Sequence, residues 1–331
     1  MREFLTLIRW KNLLIVILTM VLMRYFVIAP LLSLIIVDLV QSPGTAVPMT
    51  LQFPWYDFLV LVTATVCITA GGYVINDYFD IRTDLINRGK VIVGTRISRR
   101  KAMMWHSVFN ITGVAAGCYV SARAGYLWLG ILFLLVSGLL YFYSASYKRQ
   151  FLIGNIIVSI LTAMVPLLVI LYEWPAVYRY YAVNATDIPK LDFLLFWIGG
   201  FALFAFLMTF AREIVKDIED FEGDRAYGRK TIPVVTGIPA SKTIAIALLI
   251  ITIVLIYLVW FFFVHDWLTL VYMSVAIVVP LLLVIYMVAT GANKKQIHGA
   301  SNLIKAAMLT GILYSILVKA IITLNLLPNV D

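Results

Sequence analysis

Long apolar runs recur along this chain, with charged residues gathered in the gaps between them. A helix that crosses hydrocarbon needs about 20 mostly apolar residues. Nine runs meet that length, at 13–35, 56–76, 102–121, 125–146, 152–172, 192–211, 243–264, 267–290 and 302–324. The pattern predicts an all-α polytopic membrane protein of nine transmembrane helices in one domain, residues 1–331, with no polar stretch long enough for a soluble domain. The segment Asp38–Asp57 holds Pro43, Gly44, Pro48 and Pro54, which predicts a loop with an interfacial piece. Trp174–Lys190 is expected to be a second loop. The first run, from Leu13 to about Val37, follows Arg2, Arg9 and Lys11. It exceeds the 7–15 residues or so of a signal-peptide core, and no small-residue cleavage site follows it, so it is expected to stay as a first span.

Composition agrees with lipid as part of the solvent. Of 331 residues, 63% are hydrophobic and 13% charged, against about 25% charged in a soluble domain. The mean hydropathy is +0.97. Cys67 and Cys118 both lie inside apolar runs and read as small buried hydrophobes, with no disulfide framework. The formal net charge of +9 has a topological origin. With the N-terminus inside, the inner loops carry 20 of the 26 Lys and Arg residues, and the outer loops only Arg123, Arg179 and Lys190. Short cytoplasmic loops collect Lys and Arg, so the split predicts a cytoplasmic N-terminus and needs no nucleic acid.

Two inner loops are also acidic: NDYFDIRTD, Asn76–Asp84, and KDIEDFEGD, Lys216–Asp224. Asp77, Asp80 and Asp84 share the spacing D-x-x-D-x-x-x-D with Asp217, Asp220 and Asp224, 140 residues later. Each motif follows the second span of a group of four, which predicts two four-helix halves plus a ninth helix. Positions i, i+3 and i+7 share one helix face, where like charges repel. A divalent cation with oxygen ligands offsets that repulsion. Mg²⁺ takes one or two carboxylates plus phosphate oxygens, and Asn76 adds an amide oxygen. Two such faces opposite each other suit two ions bridged by a diphosphate. Arg88, Lys90, Lys148, Arg212, Lys216 and Lys230 flank the motifs and are candidate clamps for the departing diphosphate.

At these residues the chain resembles the UbiA family of intramembrane prenyltransferases. The family's first motif, N-D-x-x-D-x-x-x-D, matches Asn76–Asp84, and its second matches Asp217, Asp220 and Asp224, with REIVKD and GRKTIPV as flanks. The resemblance implies an integral protein of the cell membrane with nine helices and its active site facing the cytoplasm. It further implies that Asn76, Asp80, Asp84, Asp217, Asp220 and Asp224 reach Mg²⁺ and the diphosphate of a polyprenyl diphosphate. After the first motif many members read roughly N-R-P-x-R-P. Here the run is NRGKVIVG, Asn87–Gly94, closer to the branch whose acceptor is geranylgeranylglyceryl phosphate. An aromatic acceptor, as in quinone synthesis, stays open. In the family's Y-x-x-x-K pattern Lys148 matches, but Ser144 stands where the tyrosine belongs and Tyr143 is one position early, so only the lysine carries over.

A cation-coupled transporter is the rival from another class, although it would hold its acids near the bilayer midplane. The D-G-x-x-A-R signature of phospho-alcohol transferases is absent from the sequence. Phe142, Tyr143, Tyr147 and Phe210 are candidate linings for a prenyl slot, and Arg9 and Asn12 candidate contacts for an acceptor. Arg24, Lys305 and Lys319 fall inside spans, where a charge needs a partner. Gly113 and Gly117 predict close helix packing. His106, His265 and His298 fall at or near three different span ends and do not form a zinc site.

Overall fold

The computed structural model describes residues 2–89, 91–187, 190–291 and 293–324. A short helix α1 (Arg2–Leu7) leads into α2 (Trp10–Ser33). A ribbon follows, β1 (Ile36–Leu39) and β2 (Ser42–Pro48), then α3 (Trp55–Phe79), α4 (Ile81–Arg88), α5 (Arg99–Arg123), α6 (Leu127–Arg149) and α7 (Ile153–Asn184). The chain continues through α8 (Asp192–Glu219), α9 (Phe221–Ala226), α10 (Ile232–Thr236), α11 (Ile238–Val264), α12 (Trp267–Thr290) and α13 (Lys294–Thr323). Among the described residues eight helices are long and apolar enough to cross a membrane: α2, α3, α6, α7, α8, α11, α12 and α13. The remaining expected span, 102–121, corresponds to α5, a 25-residue helix whose first turn carries Arg99, Arg100 and Lys101 and whose middle carries His106 and Asn110.

Helix starts follow their caps. Ser98 opens α5 by accepting from the Lys101 N–H at 3.3 Å. Asp266 opens α12 by accepting from Thr269 at 2.7 Å, and Asn293 opens α13 by accepting from Gln296 at 2.9 Å.

Glycine permits the close approach of α3 and α5. A Cβ on Gly113 would lie 2.6 Å from the Ile68 side chain and 3.0 Å from the Ala64 carbonyl oxygen, and one on Gly117 would strike the Phe133 ring. The G-x-x-x-G pair is therefore a packing device within the chain. The polar residues of α5 turn inward as well. Asn110 contacts His106 Nδ1 at 3.0 Å and accepts from Ser137 on α6, and His106 Nδ1 lies 3.0 Å from the Gly71 carbonyl of α3.

Two loop expectations are corrected. The segment after α2 forms an antiparallel ribbon, with Val37 paired to Val47 and Asp38 to Ala46, so the fold is helical apart from these two strands. The expected loop from Trp174 is instead helical as far as Asn184, with Pro175 inside α7. Its anchor is Glu173, which accepts from Arg24 Nε of α2 at 3.0 Å and from the backbone N–H groups of Gln52 and Phe53 at 2.8 and 2.9 Å. Arg24 sits on a π-helical turn and is fully buried. The pair satisfies both charges inside the bundle and ties α2, the entry to α3 and α7 together, which gives Arg24 a structural partner. Lys319 lies over the Phe26 ring at 4.5 Å.

Candidate active site

The two acidic motifs break their helices at the same point. α3 ends at Phe79, Asp80 adopts φ −92° and ψ 0°, and α4 begins at Ile81. α8 ends at Glu219, Asp220 adopts φ −94° and ψ 7°, and α9 begins at Phe221. Hydrogen bonds carry through each corner: Asp80 N–H to Asn76 O at 3.0 Å, and Asp220 N–H to Lys216 O at 2.9 Å. The expectation of three carboxylates on one straight helix face is thus corrected to a corner centred on the middle aspartate. The bend spreads charges that would otherwise stack one turn apart.

The short helices α4 and α9 bring the two corners together. The Gly223 N–H donates to Asn87 Oδ1 at 3.1 Å. A Cβ on Gly223 would lie 2.3 Å from that oxygen, so a side chain there would displace the Asn87 amide. Between the corners is a small polar cavity of about 60 Å³, lined by Asn76, Asp80, Thr83, Asp84 and Asn87 from one side and Asp217, Asp220 and Asp224 from the other. The six residues expected to act together therefore share one chamber. Asp77 does not line it; its carboxylate pairs with Arg9 at 2.9 Å.

Cations stand between the carboxylates. Lys148 Nζ lies 2.7 Å from Asp80 Oδ1 and 3.0 Å from Asn76 Oδ1. Arg229 spans both motifs, at 2.7 Å from Asp80 Oδ1 and 3.3 Å from Asp224 Oδ1, and also donates to the Thr83 hydroxyl. Asp217 accepts from Asn155 Nδ2 at 2.8 Å. Burial would raise the Asp80 carboxyl, but the charges of Lys148 and Arg229 outweigh it and hold the pKa below the ordinary value. Asp224 goes the other way: burial lifts it to about 6, against the pull of Arg229 and with the push of Asp220. The chamber thus carries acid that its own cations do not fully offset. Its donors are carboxylate and amide oxygens, the set a hard divalent ion takes, with room in the coordination shell for phosphate. Among the described residues no three His, Cys, Asp or Glu side chains close around one point. Mg²⁺ does not require such a triad, because substrate phosphate oxygens supply part of its shell.

The other expected clamps divide. Lys148 and Lys216 line the chamber, and Arg212 lines the cavity behind it, donating to Glu213 at 2.8 Å. Lys230 is exposed and outside both linings; its backbone N–H bonds the Arg149 carbonyl. Lys90, and the side chain of Arg88, lie outside the described residues. Arg229 is the functional candidate that sequence reasoning left off the clamp set. Gly228, at φ +63°, turns the chain at the end of α9, and the Arg229 N–H returns to the Asp224 carbonyl at 2.9 Å. Within the run Arg225–Lys230 the glycine before Arg229 was the available signal for which cation turns inward. Tyr143 also enters the site, although its spacing departs from the family pattern. α6 breaks at Ser146, φ −137°, before a 3-10 turn bearing Lys148, and that irregularity absorbs the one-residue offset.

Arg9, Asn76, Tyr143, Glu213 and Lys216 line both the chamber and a larger cavity of about 420 Å³. The larger space runs between the long helices, walled by Leu132, Phe133, Val136, Leu161, Phe201, Phe204, Met308 and Ile312 among others. A carboxylate chamber thus opens into an apolar slot.

Fold and site together define a helical integral membrane protein built around a charged chamber at the mouth of an apolar slot. The chain belongs to the UbiA prenyltransferase family, whose model matches residues 42–303. It is 31% identical over 259 residues to a digeranylgeranylglyceryl phosphate synthase of Methanobrevibacter smithii, covering 78% of this chain and 83% of the relative. Among solved structures it is similar to a UbiA homolog from Aeropyrum pernix K1, with TM-score 0.61 and 16% identity over 91% of this chain and 98% of that one. A UbiA homolog from Archaeoglobus fulgidus bound to GPP and Mg²⁺ gives TM-score 0.55 and 18% identity, covering 95% and 99%. At those identities the structures speak to the fold.

Proposed function

We propose that this protein transfers a geranylgeranyl group from its diphosphate to geranylgeranylglyceryl phosphate, with Mg²⁺ at the two aspartate corners. The observation that carries the reading is the joining of one polar chamber, lined by both motifs, to an apolar slot. The relatives named digeranylgeranylglyceryl phosphate synthase support the acceptor, and the homolog that holds GPP with Mg²⁺ supports the metal and the donor class.

In this reading Asn76, Asp80, Asp84, Asp217, Asp220 and Asp224 would hold the metal, whose charge would offset that developing on the leaving diphosphate. Lys148, Arg229 and Lys216 bind the same diphosphate oxygens. Lys148 and Arg229 are poised for this, because each now compensates a carboxylate that would turn to the metal. The bond between prenyl C1 and the diphosphate oxygen breaks, the acceptor hydroxyl oxygen bonds to C1, and the hydroxyl proton passes to the departing diphosphate or to a motif carboxylate. Tyr143, at the junction of chamber and slot, presents an aromatic face where the allylic cation forms. The slot excludes water that would quench that cation. It also rewards the chain with roughly 0.8 kcal/mol per buried CH₂. With α5 counted beside the eight spans, the placement of Lys and Arg supports an N-terminus and both motifs at the cytoplasmic face.

The test is an acceptor comparison on detergent-purified protein with geranylgeranyl diphosphate. Geranylgeranylglyceryl phosphate is expected to be prenylated only when Mg²⁺ is present. Asp80→Ala and Asp220→Ala are expected to lose at least about a hundredfold in rate while remaining folded. Turnover of a naphthoate or hydroxybenzoate in preference to the glyceryl phosphate would overturn the acceptor, and full activity in either variant would overturn the metal site.

A further inference from the structure

The large cavity carries charge that the prenyl chain cannot use. At its inner mouth stand Arg9, Arg212, Lys216 and Lys305, from the turn before α2, from α8 and from α13. Their carboxylate partners are fewer: Glu213 serves both Arg212, at 2.8 Å, and Lys216, at 3.5 Å, and Asp77 serves Arg9. Lys305 Nζ donates to the neutral amide oxygen of Asn12, and the charges that bear on it are those of Arg212, Arg9 and Lys11, all positive. The Arg212 Nε is buried with no partner. Arg9 holds a left-handed backbone, φ 50° and ψ 51°, a strained conformation for a non-glycine residue that collects at ligand sites. Lys216 is shared with the aspartate chamber; the other three cations, Arg9, Arg212 and Lys305, face two carboxylates and leave an excess of one positive charge beside an apolar cavity. Such an excess calls for an anion.

Arg212, Lys305 and Asn12 line the large cavity but not the aspartate chamber, and of the six motif residues only Asn76 reaches the large cavity. Arg212 and Lys305 are therefore set apart from the place where the diphosphate would sit. We propose that Lys305 and Arg212, with Arg9 and Asn12, bind the phosphate monoester of the acceptor lipid and so select an acceptor that bears one. A phosphate monoester carries a charge of about −1.5 to −2 at neutral pH, opposite in sign to the excess. The neck formed by Tyr143, Arg9 and Lys216 then separates the two anions and leaves the acceptor hydroxyl between them. This assignment rests on the acceptor reading above.

Binding measured without donor separates the two claims. Labelled geranylgeranylglyceryl phosphate and its uncharged counterpart, geranylgeranylglycerol, are titrated into purified full-length protein. The wild type is expected to prefer the phosphate at least tenfold. Lys305→Met is expected to erase the preference, Lys305→Arg to keep it, and Arg212→Gln, on another helix, to lower it in the same sense. Binding of geranylgeranyl diphosphate with Mg²⁺ is expected to stay within twofold in Lys305→Met. A preference that survives both Lys305→Met and Arg212→Gln overturns the proposal, as does a parallel loss of diphosphate binding in Lys305→Met. A wild type that prefers the phosphate yet forms no product leaves this site standing and removes the enzymatic reading. A wild type that turns over without that preference does the reverse.

Discussion

Replacing Arg229 by glutamine tests whether the two aspartate corners form one electrostatic unit. Its guanidinium is largely buried and joins Asp80 to Asp224 across the chamber. Asp80 keeps a second cation, Lys148 at 2.7 Å, whereas Arg229 exerts the largest downward pull on Asp224. The loss therefore falls mainly on Asp224. Removing one partner of a buried pair costs about 3–5 kcal/mol. Asp224 already sits at about pKa 6, so it can take up a proton near neutral pH in place of staying ionised, which caps the penalty. About 3 kcal/mol, the lower end, is the expected loss of stability in EDTA. Mg²⁺ then acts in the opposite sense. At a hundredfold above its dissociation constant it stabilises the wild type by about 2.7 kcal/mol. In Arg229→Gln the increment should be larger, because the metal meets carboxylates with no competing guanidinium. Thermal melts in detergent, with EDTA and with Mg²⁺, read both effects. A variant that melts like the wild type in EDTA, or that gains less from Mg²⁺, would refute the coupling of the corners.

The metal-free protein should also show the Asp224 titration. With a folded value of about 6 against an ordinary 3.8, the folded state holds the extra proton. That group favours the fold below about 3.8, and its contribution is lost as pH rises through about 6. Mg²⁺ must displace the same proton, so apparent affinity should fall about tenfold per unit below pH 6, with proton release by calorimetry in two buffers. A pH-independent affinity would exclude Asp224 as a ligand. Gly113→Val should destabilise by about 1–3 kcal/mol, since a Cβ there would lie 2.6 Å from Ile68; an unchanged melting temperature would mean that α3 and α5 part freely. Glu173→Leu should cost more than Arg24→Met, because it strips Arg24 and two backbone N–H groups of their acceptor at about 1–3 kcal/mol each. Equal melting temperatures would show that Glu173 does not hold the entry to α3.

The sequence by itself determined the spans and the chemistry. Twenty-residue apolar runs leave a chain no alternative to crossing lipid as helices, because hydrocarbon satisfies no backbone polar group. Six aspartates in two matched motifs pointed to one polar site through their spacing, and five of them line the chamber. The charged intruder Arg24 was visible, but its partner Glu173 lies 149 residues away, and no local pattern encodes that separation. The run from Trp174 to Lys190 looked like a loop because Pro175 and scattered polar residues break the apolar pattern; tertiary anchoring at Glu173 keeps most of it helical. Only the folded chain decided which cations turn inward. Arg229 enters the chamber and Lys230 faces away, although they are adjacent and alike in charge, because the turn at Gly228 aims one and not the other. Local periodicity fixes what each segment is; the meeting of segments distant in the chain fixes what each side chain faces.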